Sequence, residues 1–244
     1  MLNLDKVFDA TIGKIVRGYG RILPTIPKPP PGVLELIEEN ARLESYEYAK
    51  LYFTHAMLFD EKSALWSYCL DRINLQMKYN SNSNPIIAEF GVWQGASINF
   101  FAKYLPQAKI YGFDSFLELE EDWVGYKRVK GAYSTRGKLP KVAANVVLNV
   151  GWYEDTMVEF LQLLVQDQIM LLHLDSDTYK PTSFVLEQLI KNIKVGTIIV
   201  FDEYFGYPGW QLHEHKAWTE IVNRYGLKFK CIGFTDIRVA FELL

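Results

Sequence analysis

The chain has 244 residues and a mass of 28.3 kDa, enough for one domain that buries roughly 70–75% of the surface its unfolded form exposes. Hydrophobic residues make up 49% and charged residues 23%, a balance that excludes extensive disorder and fibrous repeats. With 26 Lys and Arg against 29 Asp and Glu, the net charge of -3 supplies no basic field for nucleic acid and favours a small-molecule partner.

Residues 2–23 place Leu4, Phe8, Ile12, Ile15, Tyr19 and Ile22 three and four apart, with basic residues between them. This pattern predicts an amphipathic helix. It serves either as a membrane-surface anchor or as a cover for the core or a second subunit, and a homo-oligomer through the N-terminal helices is the expected assembly. Prolines 24, 27, 29, 30 and 31 fix φ and remove donors, predicting a stiff extended linker over 24–32. Helices are predicted at about 33–52 and 61–79, before the polar turn 81–84. Residues 1–84 are thus expected as a helical extension or cap, and 85–244 as the main domain. Cys69 and Cys231 fit no zinc or redox spacing, which suits a reducing cytoplasm. No apolar run approaches the about 18 residues of a membrane span, and the first residues lack the continuous apolar core of a secretory signal.

From Pro85 the pattern changes to short apolar runs alternating with amphipathic segments, the signature of βαβ units. Strands are predicted at about 86–90, 109–113, 146–150, 169–174 and 197–201, with a closing pair at 228–233 and 237–242. Helices are predicted between them at about 96–104, 154–166, 181–193 and 211–225. The fold class is therefore α/β, with seven strands in a mostly parallel sheet and helices on both faces.

The first strand runs into Gly91 and Gly95, then into a helix starting near Ser97. Gly91 allows a sharp turn, and Gly95 allows a ligand to approach backbone N–H groups at the positive end of a helix. No GK[ST] follows, so this is not a phosphate-binding P-loop. Asp114, at the end of the second strand, is spaced to accept hydrogen bonds from ribose hydroxyls, or else it caps the next turn with Ser115. Together these features point to a nucleoside-bearing cofactor.

The segment Glu89-x-Gly91-x-x-x-Gly95-x-Ser97 resembles the first motif of class I S-adenosylmethionine-dependent methyltransferases. Further motifs are Gly112-Phe-Asp-Ser-Phe116, Gly151-Trp-Tyr-Glu-Asp-Thr156, His173-Leu-Asp-Ser-Asp-Thr-Tyr179 and Phe201-Asp-Glu-Tyr204 with Tyr207-Pro-Gly-Trp210. In this order, over about residues 85–242, they resemble the macrocin O-methyltransferase (TylF-like) family. The resemblance implies a Rossmann-like sheet whose last strand is antiparallel. It implies S-adenosylmethionine as cofactor, with Glu89, Gly91 and Ser97 at the methionine portion and Asp114 at the ribose. Trp152 falls near the adenine or in the core.

Asp175 and Asp177 end one buried run and Asp202 and Glu203 end another, so a parallel sheet gathers up to four carboxylates on one edge. A hard divalent cation, Mg²⁺ above all, would relieve their repulsion; the alternative is that they cap helices or are solvated. The resemblance implies Asp175, Asp202 and Glu203 as metal ligands, Glu203 standing where the family's sugar-modifying members carry Asp. Methyl transfer to oxygen needs a base. Asp177 is the expected one, with Asp175, His213 and His215 as alternatives, whereas His173 within its apolar run is expected as a core histidine. Tyr204, Tyr207, Trp210 and Trp218 offer faces for a sugar or phenol, and 115–140 is long enough to be a lid. The expected function is Mg-assisted O-methylation of a sugar or glycosylated small molecule, the alternatives being a catechol-type enzyme and a non-catalytic cofactor-binding module.

Overall fold

A computed structural model describes residues 30–79, 85–164 and 168–244. The amphipathic segment 2–23, the linker to residue 29 and the polar turn 81–84 lie outside the described residues. Residues 37–244 form one compact unit. In chain order its elements begin with α1 (Val33–Tyr52, whose first turn precedes that unit), β1 (Met57–Leu58) and α2 (Lys62–Tyr79). The alternating part follows as β2 (Ile86–Phe90), α3 (Ala96–Tyr104), β3 (Lys109–Asp114), β4 (Val146–Val150), α4 (Tyr153–Leu163), β5 (Ile169–Leu174), α5 (Tyr179–Leu189) and β6 (Ile198–Phe201). A 3-10 turn (Trp210–Leu212) leads to α6 (Glu214–Tyr225), β7 (Phe229–Phe234) and β8 (Val239–Leu243).

The strands form one sheet in the order β1-β7-β8-β6-β5-β2-β3-β4. The pairs from β6 to β4 are parallel, and β8 runs antiparallel to both β6 and β7. The expected α/β, Rossmann-like sheet with an antiparallel last strand is what the chain forms. It has eight strands instead of seven, because Met57 and Leu58 pair in parallel with Gly233 and Phe234; two residues are too few to show a period of two.

Alternation along the strands divides the core between the two faces of the sheet. Ile86, Ala88 and Phe90 of β2 face α4, α5 and α6, packing with Phe160, Leu186 and Trp218. Ile87 faces the other way, with Leu65, Leu70 and Ile73 of α2 and Phe101 of α3. Two helix ends differ from expectation for local reasons. Pro181 lies in the first turn of α5, where its missing N–H is not needed, so the helix starts at Tyr179, two residues before its expected start at the proline. His213, at φ -115° and ψ -122°, breaks the last helix into a 3-10 turn and α6. No helix among the described residues is long and apolar enough to cross a membrane.

Ladder hydrogen bonds continue past the strand ends: Gly91 N donates to Phe113 O, Asp175 N to Phe90 O, Asp202 N to Leu174 O and Gly151 N to Asp114 O, all at 2.9–3.1 Å. The residues following β2, β4, β5 and β6 are therefore aligned along one carboxyl edge, and this edge carries the site.

Candidate active site

A cleft runs along that edge, lined by Gly91, Trp93, Asp114, Ser115, Trp152 and Tyr153. Asp175, Asp177, Asp202, Glu203, Tyr133 and Arg238 line the same cleft. Gly91 is required by a close approach of backbone: at φ 97°, a Cβ on it would fall 1.9 Å from the carbonyl oxygen of Asp175. It lets β2 turn against β5 without side-chain interference.

Asp114 folds the loop around itself. Its Oδ2 accepts from Val92 N at 2.9 Å and Trp93 N at 2.7 Å, and its Oδ1 from Phe116 N at 2.6 Å. A carboxylate offers about four lone-pair sites, so one remains for a hydroxyl donor in the cleft. Ser115 Oγ accepts from Leu117 N at 3.2 Å, a short turn that supports the capping reading while leaving Ser115 on the cleft wall.

Glu89, Gly95 and Ser97 are not brought to the cleft lining. Ser97 Oγ donates to Glu89 Oε1 at 2.9 Å, and Glu89 Oε2 meets His173 Nδ1 at 3.2 Å, all three side chains being buried. Gly95 adopts φ 79° at the N-cap of α3 and packs against Pro140 and Asn99. His173 Nε2 lies 3.5 Å from Asp202 Oδ1, and Asp202 accepts two hydrogen bonds at 2.7 Å from Nε and Nη2 of Arg238. The result is a polar chain, Ser97–Glu89–His173–Asp202–Arg238, crossing the sheet beneath the cleft. Burial alone would lower the His173 pKa, but its contacts with Asp202 and Glu89 carry it up to about 10, so the ring is a cation between two acids. Burial also raises Asp202, and His173 and Arg238 outweigh this and hold it well below the usual carboxylate range.

The remaining acids lack such a partner. Burial, then the charge of Asp202, lifts Asp175 to about 8. Asp177 is pushed well upward by burial and then Asp175, and Glu203 by burial and then Asp202. Carboxylate oxygens of Asp175, Asp177 and Glu203 lie within 4.8 Å of one another, and those of Asp175 and Asp202 lie equally close with a ring nitrogen of His173. Glu203 Oε2 is buried without a hydrogen-bond partner. Such a group asks for a proton or a cation. Asp202, expected as a metal ligand, takes one N–H of the Arg238 fork on each oxygen and stands in the second of these groups, with Asp175 and His173.

Asp177 has φ 63°, a left-handed conformation that Asp tolerates better than most residues and that recurs at functional sites. Its side chain lines the cleft beside those of Asp175 and Glu203.

Neither histidine named as an alternative base lines the cleft. His213 Nε2 lies 2.8 Å from Val124 O, and His215 is enclosed by Trp210, Tyr48 and Tyr204 with ring centroids 4.7–5.1 Å away. Burial pushes His215 down to about 4. It stays neutral in the folded protein and protonates near 6.5 when unfolded, so it costs stability as pH falls from 6.5 towards 4. His215→Phe is expected to unfold like the native chain at pH 7 and to gain about 2 kcal/mol relative to it at pH 5, read by urea unfolding at both pH values.

The aromatic residues expected to face a sugar are core. Tyr204, Tyr207, Trp210 and Trp218 are all buried, and the rings at the cleft are Trp93, Tyr133, Trp152 and Tyr153. The long segment after β3 is pinned at its middle. Buried Trp123 stacks on Tyr126 at 4.1 Å, and a Cβ on Gly125 would fall 2.0 Å from the carbonyl oxygen of Pro208.

Two functional positions escaped the sequence. Arg238 sits in the β7–β8 turn, where a charged residue reads as solvated; the Phe201–Val239 pairing sets it opposite Asp202. Glu214 reads as an acid in the first turn of a helix, yet it is buried and its Oε2 accepts from Glu203 N at 3.0 Å.

Comparison with known proteins bears on the domain and the fold. Residues 88–204 match the family described as a methyltransferase domain. In fold the chain is similar to CalS11, a calicheamicin methyltransferase, at a TM-score of 0.56 and 21% identity over 94% of this chain and 91% of that one. It is also similar to the O-methyltransferase NovP, at 0.52 and 19% over 74% and 78%. An apo structure of CalS11, described as a TDP-rhamnose 3'-O-methyltransferase, gives 0.50 and 21% over 87% and 95%. No curated protein sequence matches the chain.

Proposed function

We infer that the chain transfers methyl groups from S-adenosylmethionine, that the acceptor is a hydroxyl of a sugar or glycosylated small molecule, and that Mg²⁺ assists. The observation that carries this reading is the group of Asp175, Asp177 and Glu203 carboxylates in the cofactor cleft. A methyltransferase acting on a nucleophile that is already deprotonated has no use for buried acids there, whereas an alcohol must lose a proton. The fold neighbours' descriptions, a calicheamicin methyltransferase and a TDP-rhamnose 3'-O-methyltransferase, support a sugar over a catechol.

In this reading Gly91, Asp114, Ser115 and Trp152 hold the cofactor, Asp114 through its remaining lone pair and Trp152 through an indole face. The cofactor supplies an electrophilic methyl group on a sulfonium. Asp175 and Glu203 fit a hard cation, since both are oxygen donors and Glu203 Oε2 has no other partner. A cation there lowers the pKa of a hydroxyl beside it. Asp202 remains in the fork of Arg238 and tunes the charge of the edge. Asp177, in the cleft lining, takes the hydroxyl proton. Trp93 and Tyr133 flank the acceptor and exclude water.

Titration of S-adenosylhomocysteine into the protein, followed by an acceptor screen over glycosides and nucleotide sugars with and without Mg²⁺, tests the reading. Chelation with EDTA should abolish methylation and added Mg²⁺ should restore it. Full activity in chelator removes the cation from the account.

A further inference from the structure

Between Trp123 and Trp152 the chain carries Lys127, Arg128, Lys130, Arg136, Lys138 and Lys141 and not one Asp or Glu, although the whole chain is net negative. Lys127 is paired with Glu38 at 2.7 Å. Arg128 and Lys138 form no ion pair with any described carboxylate. Both line a trough of about 710 Å³ whose other walls include Trp93, Tyr133, Thr135 and Pro140.

Trp93 and Tyr133 also line the catalytic cleft. Their rings meet edge to face at 5.7 Å, so the trough and the cleft lie on either side of one aromatic partition. The guanidinium of Arg128 is 5.7 Å from the centre of the Tyr133 ring. Tyr133 feels the positive charge of Arg128 and the negative charge of Asp177. An acceptor reaching Asp177 and crossing that partition therefore meets a wall with two uncompensated cations, which attracts anions.

We propose that this trough binds a phosphate or diphosphate group of the acceptor, so that the substrate is a sugar joined to phosphate or to a nucleoside diphosphate. The proposal rests on the sugar O-methylation reading and narrows it. Arg128 presents a planar fork suited to two phosphate oxygens, Lys138 a second point charge, and the Thr135 side chain lies on the same wall. The aromatic partition takes the apolar face of the sugar between them.

Calorimetric titration of thymidine diphosphate, and separately of inorganic pyrophosphate, into the full chain tests this. Both probes should bind, and Arg128→Gln or Lys138→Gln should each weaken them by about tenfold or more, the range expected for one charge-assisted contact. Raised salt should weaken binding as well. S-adenosylhomocysteine titrated into the same variants reports that the cleft is intact. Thymidine diphosphate binding much more tightly than pyrophosphate identifies a nucleotide sugar, and equal affinities a sugar phosphate; either supports the proposal. Failure of both probes to bind, or variants that bind them like the native chain, overturns it. If S-adenosylhomocysteine binds while the phosphates do not, only this proposal falls; if S-adenosylhomocysteine does not bind, the methyl-transfer assignment falls with it.

Discussion

Asp177→Asn is expected to lower turnover by about 10²–10⁴-fold, the contribution of a positioned general base, while leaving S-adenosylhomocysteine binding unchanged. The amide keeps the size and hydrogen-bonding reach of the carboxylate and cannot accept the proton of the acceptor hydroxyl. Asn also tolerates a left-handed backbone, so φ 63° at this position is not a reason for the variant to unfold. Asp177→Ala removes the carboxylate and adds strain at that φ, and it should lose both turnover and stability, which separates chemistry from folding. Calorimetry with Mg²⁺ separates base from ligand. Asp177→Asn that binds Mg²⁺ like the native chain leaves Asp175 and Glu203 as the holders of the cation, whereas loss of Mg²⁺ binding makes Asp177 a third oxygen ligand. Undiminished turnover would remove Asp177 from the mechanism and return the role to Asp175. A non-catalytic cofactor-binding module would not register the substitution at all.

The sheet was legible because its strands are short, apolar and separated by turn signals. The runs at 86–90 and 169–174 coincide with β2 and β5 because buried parallel strands need continuous apolar sequence. The gathering of Asp175, Asp177, Asp202 and Glu203 followed from the same logic, since residues after parallel strands share an edge. What was not legible depended on where side chains point and on which elements become neighbours. Glu89 looks like a cofactor residue from its place in the motif, but the alternation of β2 turns it to the side of His173, opposite Phe90. The four aromatic residues after β6 look like a sugar platform because they follow the acidic pair. Residues 203–218 instead fold back over the core, so that Tyr204 and Trp218 pack on Phe241 at 5.3 and 5.5 Å. Arg238 is more than thirty residues from Asp202 in sequence and becomes its partner only because β8 inserts beside β6.

That partnership leads to the largest expected loss of stability. Arg238→Met should destabilise the fold by about 3–5 kcal/mol, the cost of leaving one member of a buried ion pair alone. Asp202 is buried and accepts both of its short hydrogen bonds from this one guanidinium. Without it, Asp202 faces Asp175 and Glu203 with only His173, 3.5 Å away and shared with Glu89, to offset the charge. Urea unfolding should show the loss at pH 7, and its pH dependence gives the sign. In the native chain the depressed pKa of Asp202 contributes stability above its unfolded value near 4, and this contribution fades as pH falls towards the folded value. In Arg238→Met one of the two cations that hold the carboxyl down is gone, so its protonation costs less and the difference between the two proteins should shrink as pH falls through the carboxylate range. Arg238→Lys should recover part of the loss, because a point charge replaces the charge and not the fork. Combining Arg238→Met with Asp202→Asn should recover more, since the buried charge is then gone. A double variant as unstable as Arg238→Met alone would mean that the arginine acts through packing of its stem in the β7–β8 turn and not through Asp202.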